Sequence, residues 1–78
     1  MAHARLHLTF PEHLISEPII YRVGKEFDLV TNIRRANIEE RIGWVILEVE
    51  GTEKAVADAV AWLEEQGIQV DRIGEEDR

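Results

Sequence analysis

Three histidines, three adjacent pairs of acids and one local arginine cluster are the residues of this chain whose types could do chemistry. His3 and His7 fall on one face of an alternating segment, but four residues of extended chain separate them by roughly 13 Å. One ion cannot bridge that span, and His13 lies past the end of the segment, so solvent-facing histidines are expected rather than metal ligands. The pairs Glu39-Glu40, Glu64-Glu65 and Glu75-Glu76 are neighbours in sequence, whereas general acid–base work needs carboxylates that converge on one pocket. Solvated faces account for them. Ser16, the only serine, sits where a helix cap is wanted, and there is no G-x-S-x-G elbow, P-loop or G-x-G-x-x-G fingerprint. No nucleophile, base and orienter can be assembled, so no enzyme activity, catalytic residue, metal site or cofactor is expected.

Arg34-Arg35, with Arg5 and Arg41, is the one basic cluster in a chain whose formal charge is −7, from 16 acids against 9 Lys and Arg. It could meet a small anion or a partner's acidic surface, or it could keep an edge strand from pairing. A net charge of that sign is repelled by phosphate backbones and anionic membranes, so neither nucleic acid nor a membrane is an expected partner. The absence of cysteine removes disulfides, thiolate zinc sites and Cys-ligated clusters. The apolar stretches are a few residues long, too short to span a bilayer, and the N-terminus does not read as a signal peptide. A cytoplasmic location is the expectation from those features.

Seventy-eight residues, 45% of them hydrophobic and 32% charged, make one small globular domain. A chain of this size buries only roughly 60–65% of the surface it exposes when unfolded, so every core position counts. Ala4, Leu6, Leu8 and Phe10 alternate with Arg5, His7 and Thr9, which predicts a half-buried strand closed by Pro11. Ser16 as cap, Pro18 in the first turn and Ile19, Ile20, Val23 and Phe27 predict a helix, with Gly24 allowing a close approach to a sheet. From Leu29 to Ile38 the chain reads as extended with mixed faces: Leu29, Thr31 and Ile33 on one, Val30, Asn32, Arg34 and Ala36 on the other. Arg41-Ile42-Gly43 reads as a turn. Val45, Leu47 and Val49 then alternate with Trp44, Ile46, Glu48 and Glu50 as a third strand. Thr52 caps a second helix with Val56, Ala59, Val60 and Leu63 as its stripe, Gly67 ends it, and Ile68, Val70 and Ile73 make a last strand.

The order strand, helix, strand, strand, helix, strand is that of two split βαβ units. The fold class expected is therefore α+β, a ferredoxin-like βαββαβ sandwich with both helices on one face of a four-stranded antiparallel sheet. It occupies residues 1–73, and residues 74–78 form an acidic tail expected to be disordered. The other sheet face, with Arg5, His7, Thr9, Trp44 and Ile46, is left open. An exposed Trp and Ile beside an unprotected edge strand point to a homodimer, or else to Trp44 folding over its neighbours.

The ordered series Pro18-Ile19-Ile20, Phe27 to Ile33, Ala36-Asn37-Ile38, Gly43 to Gly51, Ala61-Trp62-Leu63 and Gly67 to Val70 resembles the NIL domain family. NIL domains occur at the C-terminus of ATP-binding subunits of methionine-importing transporters, in fusions with ferredoxin segments, and as short stand-alone proteins, the kind this chain resembles. In the transporter domains they pair and bind methionine. The resemblance implies a regulatory, ligand-sensing module binding methionine or a related sulfur amino acid at a homodimer interface. Its ligand residues would be Asn32, whose amide suits the polar end of an amino acid, and Ile38, which suits a thioether tail. Ile33, Arg34, Trp44 and Ile46 would shape the interface. Where the family has an apolar residue, Asn32-Ile33 is followed by Arg34, which would disfavour methionine or favour a more anionic ligand. The alternative is a non-catalytic interaction subunit that docks on a sulfur-assimilation or transport protein and takes no metabolite.

Overall fold

The computed structural model describes residues 1–73; the expected acidic tail, 74–78, lies outside the described residues. Four strands and two helices follow one another as β1 (Ala2–Phe10), α1 (Ile19–Glu26), β2 (Val30–Ile38), β3 (Gly43–Gly51), α2 (Glu53–Glu65) and β4 (Gln69–Ile73), with a short 3₁₀ turn at Glu12–Leu14. All pairings are antiparallel and the sheet order is β2-β3-β1-β4. This is the ferredoxin-like sandwich that the element order predicts. Among the described residues, no helix is long and apolar enough to cross a membrane.

The central pair sets the core. Across nine register positions β1 places Ala4, Leu6, Leu8 and Phe10 beside Val49, Leu47, Val45 and Gly43 of β3 on one face. All are buried, and Ile19 and Val23 of α1, with Val56, Ala59 and Leu63 of α2, close over them. No polar or charged residue is buried among the described residues, so the core is held by apolar burial and packing alone.

Both helices end through left-handed residues. Gly67 has φ +97°, and the bonds from Ile68 N–H to Leu63 O (3.1 Å) and from Gly67 N–H to Glu64 O (3.0 Å) make a Schellman motif, with Ile68 buried beneath it. Asp28 (φ 56°) does the same for α1, where Leu29 N–H reaches Gly24 O at 3.0 Å. Gly24 lies close against this turn: a β-carbon there would stand 3.2 Å from Leu29 O and 3.5 Å from the Thr31 methyl, the close approach expected of it. Thr52 caps α2 by accepting from Ala55 N–H at 3.0 Å.

Two local expectations are corrected. Ser16 caps nothing: α1 starts at Ile19 with Pro18 as its N-cap residue and no side-chain cap bond. Proline disfavours helical dihedrals in the residue before it, so Glu17 cannot carry the helix back to Ser16. The turn before β3 closes between Glu39 N–H and Ile42 O (2.8 Å), and Gly43 is already strand. Ile73 belongs to the last strand as expected, and its pairing with Arg5 puts it on the open face.

Leu47→Ala is expected to lower the unfolding free energy by about 2–5 kcal/mol, because the site is sealed and cannot collapse. Thr52→Ala should cost ~1 kcal/mol through loss of its cap bond. Urea unfolding at pH 7 followed by circular dichroism separates the two; equal losses would contradict this account of where stability resides.

Candidate functional site

The faces of β2 are mixed because the strand is bulged. Thr31 and Ile33 pair with Val49 and Leu47 on the helix side, while Val30 and Asn32 pair with Glu50 and Glu48 on the open side. Between Ile33 and Arg35 the strand gains one residue, Arg34, so two positions of β2 oppose one of β3. Beyond it the alternation is inverted: Arg35 and Asn37 face the open side, and Ala36 and Ile38 the helix side. Ala36 therefore lies opposite the side expected from simple alternation.

As an edge strand, β2 is scarcely covered; of its nine residues only Thr31 is even half-buried, and Ile33 and Ile38 are each 53% exposed. Asn32 lines a shallow hollow of about 160 Å³ on the open side with His3, Val30, Glu48 and Glu50. Ile38 lines a different, apolar hollow of about 180 Å³ on the helix side, with Phe10, Ile15, Ile19, Val45 and the exposed Tyr21. One protomer does not bring the two expected ligand residues together. They stand on opposite faces of β2, about 17–20 Å apart along it at the usual strand rise.

The expected interface residues divide in the same way. Ile33 lies on the helix side of β2; Arg34, Trp44 and Ile46 lie on the open side. Trp44 is half-buried, its ring stacked on His7 with centroids 5.4 Å apart and planes at 19°. It thus folds over a neighbour rather than projecting into solvent.

Electrostatically the open face is organised around Glu48, whose side chain is only 13% exposed. Arg5 donates to Glu48 Oε2 from Nη2 at 2.7 Å and Nε at 3.2 Å, while Arg34 Nη1 lies 3.7 Å and His3 Nε2 3.8 Å from Oε1. The bonds from Arg5, with the charges of Arg34, Arg5 and His3, hold the Glu48 carboxyl below its ordinary range against the opposing effect of burial. The grouping of three guanidiniums around Ile46 is not visible in simple strand alternation; the adjacency of Arg34 and Arg35 in a strand of mixed faces is its only sequence signal.

A carboxylate with a depressed folded-state pKa stabilises the fold above its unfolded pKa and loses that contribution as pH falls through the folded value. Glu48→Gln is therefore expected to destabilise at pH 7 and to approach the parent as the pH drops below the ordinary carboxylate range. Urea midpoints at pH 7 and pH 3 test this, and a gap that widens on acidification would refute it.

The NIL domain model matches residues 4–72. Methionine import ATP-binding protein MetN of Coxiella burnetii is 32% identical over 76 residues, which are 92% of this chain and 22% of that protein. MetN 2 of Acinetobacter baylyi is 32% identical over 78 residues, 95% of this chain and 23% of that one. The chain thus spans less than a quarter of the length of these curated relatives. Among solved structures, the C-terminal domain of an ABC transporter ATP-binding protein from Enterococcus faecalis superposes with a TM-score of 0.81 at 22% identity, covering 94% of this chain and 86% of that one. A de novo designed ferredoxin-fold protein superposes at 0.52 with 13% identity, covering 99% and 88%, a likeness of fold alone. A family match over nearly every described residue, on the expected fold, establishes that this chain belongs to the NIL domain family.

Proposed function

We propose that this NIL domain is a non-catalytic regulatory module that pairs with a second copy along β2 and senses methionine or a related sulfur amino acid between the two copies. The observation that carries this reading is the bareness of β2: a nine-residue edge strand with Ile33 and Ile38 exposed and an apolar hollow beside it. Such an edge is a template for strand addition, and pairing with a second copy satisfies its free backbone groups. The ligand class comes from the relatives, which are methionine import ATP-binding proteins.

Asn32 and Ile38 are too far apart on one protomer to hold the same amino acid. Pairing β2 with β2 in one sheet keeps the open faces on one side and the helix faces on the other, so the ligand's polar end is assigned to Asn32 at the open face of the seam, and Ile38 supports the seam from the helix face. By the two-fold symmetry of the pair, each dimer contains two equivalent sites at the seam.

Calorimetry with L-methionine, homocysteine and unrelated amino acids tests the reading, with the dimer measured by light scattering. Saturable heat with methionine is expected, lost in Asn32→Ala and in Ile38→Ala. Flat traces for every amino acid from a folded dimer would sink the sensor and leave β2 as an edge for protein docking.

A further inference from the structure

Ordinary strand alternation sends adjacent residues to opposite faces of a sheet. The bulge removes one step of that alternation, and Arg34 and Arg35 line the same hollow as Arg5, above Ile46 and Ile73. This hollow of about 230 Å³ draws residues from all four strands. It contains three guanidiniums, and the adjoining carboxylate of Glu48 answers one of them, held by Arg5 at 2.7 Å and approached by Arg34 at 3.7 Å. Arg35 takes part in no ion pair among the described residues. Two positive charges are thus left over on a chain whose formal charge is −7.

We propose that this hollow binds a small organic dianion, an aliphatic molecule bearing two carboxylates or a phosphate. The guanidiniums of Arg34 and Arg35 take its anionic groups, and its aliphatic body rests on Ile46 and Ile73. Guanidinium suits the task because its planar fork matches the two oxygens of a carboxylate or phosphate. The volume lies below the roughly 300–1,000 Å³ of pockets for drug-sized ligands, which sets the scale at a small metabolite.

An acidic protein segment fits the same charges less well. A stable protein contact covers about 800 Å² on each partner, far more than this hollow offers. On the same face Asp71 of β4, opposite His7, and Glu50 of β3, opposite His3, flank the arginines. A longer acidic chain would run onto one of these carboxylates, while a compact dianion avoids both. The site sits on the face of the sheet and is separate from the Asn32 and Ile38 hollows, so it stands whether or not methionine binds.

The test follows the arginine Nε–H resonances of the intact protein by NMR at constant ionic strength. Glutarate, methyl phosphate and acetate are titrated separately, with a hexaglutamate peptide in parallel. At least one dianion should shift the Arg34 and Arg35 signals saturably, and roughly tenfold more tightly than acetate. Whichever of glutarate and methyl phosphate saturates first assigns the class. The double variant Arg34→Gln/Arg35→Gln, both exposed positions, should weaken binding by roughly tenfold while leaving the remaining backbone spectrum in place. Glu48→Gln frees Arg5 and should tighten binding. Equal affinity for acetate, unchanged binding by the double variant, or saturation by hexaglutamate alone would each overturn the proposal, the last assigning the face to an acidic protein partner.

Discussion

The register between β1 and β3 is the constraint from which everything else follows. These two inner strands pair over nine positions, and the pairing puts Leu6, Leu8, Val45, Leu47 and Val49 under the helices together. A slip of one residue would expose that entire set and bury Arg5, His7, Trp44 and Glu48 in its place. With no buried polar residue among the described residues to help specify the arrangement, apolar periodicity alone enforces the register. The helices then have one face on which to settle, and the opposite face is left for chemistry.

Because both helices lie on one side, the open side keeps charged and aromatic residues in fixed rows. Arg5, Glu48 and Asn32 stand across three strands in one row; His7, Ile46 and Arg35 stand in the next. Their positions come from backbone pairing rather than from loops, so the separations between charges are set by the scaffold. The half-buried carboxylate of Glu48 is met directly by the Arg5 guanidinium, which offsets the cost of its partial removal from water. The same contact ties β1 to β3 on the face that the helices do not cover.

Much of this architecture is legible in the chain. The alternations Ala4 to Phe10 and Trp44 to Glu50, the Thr52 cap and the Gly67 stop each express one local rule, and each is observed. Where two rules compete, the sequence is harder to read. Ser16 is a good cap by type, but Pro18 forbids the helix from reaching it. Arg34 and Ala36 look like neighbours on one face until an inserted residue, which depends on pairing with the next strand, changes the phase of β2. The candidate site inherits this limit: Asn32 and Ile38 belong to an identifiable strand, yet the side of the sheet that each faces is settled only by the bulge between them.

The two edges of the sheet are unequal. On one side β4 pairs with β1 through five residues and carries Gln69, Asp71 and Arg72; on the other β2 runs for nine with its isoleucines bare. Short, charged strands are poor templates for further pairing. In the proposed pairing a copy added at β2 would meet its partner's β2, and the joined sheet would present β4 at both ends. Growth would then have nowhere to continue. Under the proposed pairing this asymmetry would make self-recognition a closed event, turning a sticky edge that could seed a fibre into an association that stops at two.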